Sequence, residues 1–536
     1  MDATIDRTPS SVKARLSIMM FLQYAIWGAW LPLLYPFLMG YRGFSIEECG
    51  ICLSAGAVGA IFGPFLAGQL ADRVISTERL LAISHFIGAI LVFSLGLVQT
   101  FLPFAVLSLV YGFVYAPTLA LTNSISLAHI RDRDRDFGPI RVWGTVGWIV
   151  AGIFMGQYLL RTSTPDLATP APDVTTLAIA QDPVAAWPKA IDANPALAGI
   201  GIDPAGIELQ LGSAADAIAP NAWNPELAFQ ANVFAVFEAA RKNGDDTTPE
   251  QVQSDLVDSV GLAIRAAAQD SGRRFAFTFS ALLGLVLSIF CLALPHTPPS
   301  ESKENPLAWT EALGEIRFQP LLTLFLVAIP VSMVHQFYFV FTADFLTGIQ
   351  NAASSESANV LAKGINQVLG VGGGGLMTIG QMSEILVLAL IPILGKVVGR
   401  KWLLLVGIAA YAIRMAIFAY APSLFPVLLG VALHGVCFGC FIFVAYMVVD
   451  EHTTPDVRAT AQNLFNLVII GIGIIVGSYF ATSVVGAWAS IAPADGGGMD
   501  WQKLFSVPMW MAVGCLVVLF LAYPARPIGR PGEAEA

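Results

Sequence analysis

Twelve apolar stretches of about 18 to 27 residues divide this chain, and segments of that length and hydropathy cross a bilayer as helices. Barrel strands would need only about 10 residues each and would alternate in polarity, which these runs do not. Composition agrees with the spans. With 56% hydrophobic and 12% charged residues over 536 positions, and a mean hydropathy of +0.69, the chain lies outside the soluble globular class. The stretches cover 16–38, 50–71, 80–98, 102–121, 142–160 and 275–294, then 321–341, 376–394, 402–421, 424–449, 459–485 and 505–522. The fold class is therefore an all-α membrane protein of twelve transmembrane helices in two six-helix bundles. The first bundle is 1–160 with 273–300 and the second 319–536, joined by a linker at 301–318. A polar insert at 161–272 separates the fifth and sixth spans.

Basic residues in short loops mark the cytoplasmic side. Lys13 and Arg15 precede the first span, Arg131, Arg133 and Arg135 follow the fourth, and Lys396, Arg400 and Lys401 follow the eighth. The opposite short loops carry only Arg42, Lys363 and Lys503. Both termini and the linker are thereby placed in the cytoplasm and the insert outside, with a bacterial inner membrane as the expected location. The first stretch is too long for a signal peptide and has no small-residue cleavage site, so it is read as a retained helix. The net charge of −10 carries no message about an acidic partner, since many of the acids lie in the insert, and long outer loops translocate whatever their charge. No nucleic-acid partner is expected.

The insert is rich in Ala, Pro and Asp, as in "TPDLATPAPDVTT", which reads as loose structure in its first half. Its second half carries Thr248, Pro249 and Gln251 in the spacing of a capping box with proline at the first helical position, followed by an apolar stripe. The pairs Cys49/Cys52 and Cys437/Cys440 fall at or within apolar spans and lack His or carboxylate companions at metal-site spacing. They are read as packing residues, with no metal and no cofactor expected.

Against this apolar background "LMTIGQMSEILVLAL" stands out, because Gln381 and Glu384 sit inside it. A charge at a bilayer centre costs about 2.5 to 3.5 kcal/mol on insertion scales, so such a residue faces a partner or a pathway. Arg414, inside "AIRMAIFAYA", is a candidate partner of opposite charge. A repeat accompanies it. "GQLADRVIS" follows the second span and "GKVVGRKWL" the eighth. Gly68, Asp72 and Arg73 resemble the G-x-x-x-D-R loop of the major facilitator superfamily, and Gly395, Gly399, Arg400 and Lys401 resemble its second-half echo. The first copy lacks the terminal G-R-[KR]. The resemblance implies the fold of that superfamily, with these loops as gating elements between neighbouring helix ends.

A narrower resemblance follows from "FLQYAIWGAWLPLL", "GPIRVWGTVGW", "IGQMSEILVLALIP", "AIRMAIFAYA" and "DVRATAQNLF". In this order they resemble the conserved stretches of the nucleoside:proton symporter family, over nearly all of the chain outside the insert. That resemblance implies a proton-coupled importer working by alternating access, with a nucleoside or closely related compound and a proton as its partners, membrane lipid around it and a monomeric state. Position by position it implies substrate contacts at Arg141, Thr145, Trp148, Gln336, Phe339, Gln381, Glu384, His434 and Phe438. Proton coupling is expected at Glu384 with Arg414.

Spacing supports the set independently. Residues 141, 145 and 148 recur at i, i+4, i+7, residues 434 and 438 at i, i+4, and 336/339 and 381/384 at i, i+3, so each group shares one helix face. Amide and carboxylate groups suit ribose hydroxyls, and aromatic rings suit a base. Gln23, Trp27 and Trp30 share a face of the first span and are candidates to complete the cavity. The bland readings are an interfacial anchor for Arg141, helix packing for Trp148 and Phe438, and a structural Glu384–Arg414 pair. The chain departs from the family pattern at Trp148 for Phe, Phe339 for Asn and His434 for Tyr, which leaves the ligand open. Alternatives of the same superfamily are a sugar or glycoside symporter and a small-molecule exporter. A membrane-embedded enzyme lacks an intramembrane H-E-x-x-H, Ser-His pair or double Asp to support it.

Overall fold

Hydrocarbon offers no hydrogen-bond partners, so the apolar runs close their backbone bonds internally as helices. The computed structural model describes residues 8–73, 75–165, 175–299, 308–355, 359–454, 457–491 and 498–524. Among these, eleven helices are long and apolar enough to cross a membrane: Ser10–Tyr41, Thr77–Leu97, Phe101–His129, Arg135–Thr162, Pro249–Cys291, Leu321–Ser354, Gly374–Val397, Arg400–Tyr420, Leu424–His452, Thr460–Ala489 and Trp501–Ala522. Ile46–Arg73 fills the second place in the order, giving the twelve expected. Several outrun their apolar stretches. The seventh continues past Phe341 and so brings Asp344 into a helix whose apolar run stops short of it.

The halves repeat one packing scheme. In the first, spans one and five, two and four, three and six, and one and six are neighbours; in the second, seven and eleven, eight and ten, nine and twelve, and seven and twelve. Adding six to each member of the first set yields the second. Between the halves, span two meets eleven and span five meets eight, which the same shift also interchanges. A buried face between apolar helices gains little from the hydrophobic effect in lipid, so close packing at small residues holds it. Gly28 is one such point: a Cβ there would come within 2.8 Å of the Trp148 Cα, so the glycine lets span one approach span five at a candidate site residue.

The first half of the insert differs from its expected looseness. Helices form at Thr176–Gln181, Pro183–Ala193, Pro204–Ile218, Phe229–Lys242 and Pro249–Gly272. Thr175, Asp182 and Asp203 each accept a backbone N–H at a helix start, and Pro183 and Pro204 sit in the first turns. Part of the Pro and Asp content that suggests disorder thus belongs to helix N-termini. Residues 166–174 of the Pro-rich run lie outside the described residues. Thr248 and Gln251 form the reciprocal capping box as read. Val252, Leu256, Val260 and Ile264, four apart, are fully buried in a core that the insert makes for itself.

Candidate functional site

Where the halves meet, a cavity of about 530 Å³ is lined by Arg141, Thr145 and Trp148 from the fifth span, Gln336 and Phe339 from the seventh, Gln381 and Glu384 from the eighth, and His434 and Phe438 from the tenth. All nine residues implied at the sequence level therefore share one space. Tyr24, Trp27 and Trp30 add a wall from the first span. Gln23 does not join them: it is fully buried and donates to the Thr118 hydroxyl at 2.8 Å, bonding within its own half. The cavity extends to Asn123 and Tyr446, near the basic-loop ends of the fourth and tenth spans.

Glu384 is held in place by the residue before it. The Ser383 hydroxyl donates to the Ala432 carbonyl at 2.6 Å and accepts the Gly435 N–H at 3.0 Å, stitching the eighth span to the tenth. Gly380 deepens the contact, since a Cβ there would lie 2.8 Å from the His434 Cβ. As a result the His434 Nε2 stands 3.7 Å from Glu384 Oε2. On its other edge, His434 Nδ1 meets Arg414 Nη1 at 3.2 Å. A guanidinium has only donors, so Nδ1 is the acceptor and a neutral His434 carries its proton on Nε2, toward Glu384.

This corrects the simple Glu384–Arg414 pair expected above. Arg414 is fully buried and stands outside the cavity lining, behind His434, with its guanidinium carbon 4.2 Å from the Tyr338 ring centroid and 5.0 Å from that of Tyr411. Carboxylate, imidazole and guanidinium thus form a row, with the imidazole in the middle. A π-helical stretch at Cys437–Phe443 follows directly, the kind of local ladder irregularity that gathers at functional sites.

Aromatic groups face one another across the rest of the space. Trp148 and Phe339, from opposite halves, meet edge-on at 6.3 Å between centroids. Phe339 also leans on His335 at 4.9 Å and on His434 at 6.0 Å. The Arg141 guanidinium lies over Tyr24 at 4.1 Å, which holds this cation at the cavity wall instead of at the lipid interface. Gln381 is buried, and its Oε1 has no hydrogen-bond partner among the described residues, leaving an acceptor in the wall.

Sequence reasoning missed His335, which lines the cavity and shares a 2.7 Å hydrogen bond between its Nδ1 and the Tyr411 hydroxyl. Its signal was present: it precedes Phe339 by four positions and so shares its helix face. Of the loop residues, Arg400 forms a forked ion pair with Glu451 at the end of the tenth span, Nη2 to Oε1 at 2.6 Å and Nε to Oε1 at 3.1 Å. Gly395 makes room for it, because a Cβ there would lie 2.7 Å from Arg400 Nη1, while Gly399 is the N-cap of the ninth helix. The side chains of Gly68, Asp72 and Arg73 lie outside the described residues. The six cysteines are buried free thiols.

Two helical bundles of repeated packing, with a polar and aromatic cavity between them, define a secondary transporter of the major facilitator type. The chain belongs to the nucleoside H+ symporter family, whose model matches residues 10–169 and 258–526 and leaves out most of the insert. It is 27% identical to the putative nucleoside transporter YegT of Escherichia coli K12, over 95% of this chain and 93% of that protein. It is 24% identical to the nucleoside permease NupG of the same organism, over 96% of each chain. The crystal structure of the nucleoside transporter NupG superposes with a TM-score of 0.64 at 22% identity, covering 96% of this chain and 100% of that one. The protein is thus a multi-pass, proton-coupled nucleoside importer, and the sugar-carrier and exporter readings are not favoured.

Proposed function

We propose that the nine cavity residues bind the nucleoside between the halves and that Glu384, acting through His434 on Arg414, couples its movement to a proton. The observation that carries this reading is the shared cavity: three of its residues come from the first half and six from the second, so rocking one half against the other makes and breaks the site. Ribose hydroxyls match Glu384, Gln336 and the unpaired Gln381 acceptor, while the base lies among Trp148, Phe339 and Phe438. A proton on Glu384 removes its attraction for the Arg414 charge behind His434 and frees the carboxyl to donate to substrate. The Arg400–Glu451 pair and the Gly68–Arg73 loop act as gating elements at the cytoplasmic ends.

The further features of this reading are a bacterial inner membrane, cytoplasmic termini, a cytoplasmic linker at 301–318, an extracytoplasmic insert at 161–272, and a monomer that needs no cofactor and leaves its substrate chemically unchanged. Purified protein in liposomes tests the core of it. Radiolabelled nucleoside is expected to accumulate only with an inward proton gradient, to be displaced by unlabelled nucleosides and to ignore excess sugars. Uptake that a collapsed gradient leaves unchanged, or that sugars displace, would count against it.

Orientation is tested separately. Asn243 is exposed in the insert, and the native thiols are buried. An Asn243→Cys variant should therefore react with a membrane-impermeant maleimide in intact cells. Labelling that appears only after the membrane is opened would invert the topology.

A further inference from the structure

Hydrogen bonds that cross between the halves cluster at the insert end of the molecule. The insert's last helix, Pro249–Gly272, runs on through Arg273 and Arg274 into Phe275–Cys291, with Arg273 and Arg274 both in helical backbone conformation. This arm presents two fully buried side chains to the seventh span. Gln269 and Asn351 exchange a reciprocal pair of amide bonds, 3.2 and 3.5 Å. Arg273 donates to the Thr347 hydroxyl at 2.9 Å and to the Gly372 carbonyl at 3.4 Å, while pairing with Asp270 on its own helix.

Gly372 belongs to the turn before the eighth span, where Gly370, Gly372 and Gly373 have φ of 78°, 82° and 80°, a region that favours glycine. The turn itself closes against the first half, since the Val371 N–H donates to the Gly156 carbonyl at 3.0 Å, and the helix Val360–Leu369 before it does the same, Gln157 Nε2 donating to the Gln367 carbonyl at 2.7 Å. Arg273, Gln269 and this turn do not line the cavity, which reaches instead toward Asn123 and Tyr446 at the other end. On the insert side, therefore, the two halves are hydrogen-bonded to each other.

We infer that Arg273 is the residue that holds the outer gate shut, and that the insert, through its continuous helix, forms part of that gate. One guanidinium ties the turn before the eighth span to the seventh span and to the arm of the first half. Gln269 and Arg273 are fully buried, and a buried charge left with half its partners is costly, so these bonds break together when the gate opens. A neutral, shorter side chain removes the tie while Gln269 and Asn351 remain. The inference rests on alternating access, but its test needs no substrate.

Cys52 lines the cavity and serves as a native reporter. In intact cells an impermeant maleimide should label it slowly in the unmodified protein and about tenfold faster in Arg273→Ala, with Arg273→Lys between the two, as a charge without the planar fork. A complementary variant, Gln269→Cys with Asn351→Cys, is bridged by a short bifunctional methanethiosulfonate. Bridging should reduce uptake to background, and a reductant should restore it. If Arg273→Ala does not fold, the bridged variant decides. A folded Arg273→Ala with unchanged Cys52 labelling, or a bridged protein that transports at the full rate, would overturn the inference. If the unmodified protein shows no uptake at all, the transport reading fails, and the labelling comparison still judges the gate.

Discussion

Glu384→Gln should abolish accumulation against a gradient while leaving downhill exchange of labelled for unlabelled nucleoside. The amide keeps the shape of the side chain and its hydrogen-bonding capacity toward a ribose hydroxyl but cannot take up or release a proton. In the unmodified protein Glu384 has 13% side-chain exposure toward the cavity and faces His434, with the Arg414 charge behind it. A carboxylate so placed has two alternative partners, the Arg414 charge behind His434 and an arriving proton. The exchange between them links charge to conformation. A carrier that moves one charge with its substrate gains about 2.3 kcal/mol per 100 mV, which at about 1.4 kcal/mol per tenfold is roughly 50-fold accumulation. The variant should lose that whole factor, with inside and outside concentrations equal at the end point in energised liposomes. Counterflow is the control for intact binding. Retained accumulation would assign the coupling proton to another group, and loss of counterflow as well would make Glu384 a binding residue first.

Much of this arrangement is legible in the sequence because the bilayer simplifies the physics. Hydrocarbon demands closed backbone hydrogen bonds, so span count and order follow from hydropathy, and helical periodicity places 141, 145 and 148 on one face before any packing is known. What hydropathy cannot register is how one span leans on another. The His434 ring comes between Glu384 and Arg414 because Gly380 allows close approach and Ser383 bonds across to Ala432 and Gly435. These small residues read in sequence only as permissive. The sixth span hides its beginning for a related reason: the amphipathic helix Pro249–Gly272 is polar on one side, so its continuity with an apolar helix leaves no hydropathy signal. Hydropathy does not place Asp344 in a span because the seventh helix outlasts its apolar run, and periodicity groups Gln23 with Trp27 and Trp30 because it tells which residues share a face but not what that face meets.

The pair Phe339→Asn with His434→Tyr should broaden transport, raising common purine and pyrimidine nucleosides relative to the best substrate of the unmodified protein by about 10- to 100-fold. Phe339 contributes only ring surface, packed on His335 and set edge-on to Trp148 and His434, so a substrate group pointing at it finds no donor or acceptor. An amide at that position supplies both. A site that bonds a polar substrate group discriminates by several kcal/mol over one that leaves the group unpaired, whereas apolar contact changes are worth about 1 to 3. The second substitution has a cost of its own. His434 Nδ1 accepts from Arg414, whose Nε and Nη2 already have no hydrogen-bond partner among the described residues, and a phenol cannot replace that acceptor in the same plane. Losing a hydrogen bond to a buried charge is worth about 1.5 to 3 kcal/mol, so His434→Tyr alone should lower the melting temperature measurably, while Phe339→Asn alone should alter selectivity with less effect on stability. Competition uptake over a nucleoside panel, read beside thermal melts of the same detergent-solubilised variants, separates the two effects. Identical selectivity ratios in both single variants and the double would remove Phe339 and His434 from the specificity site, whatever the melts show.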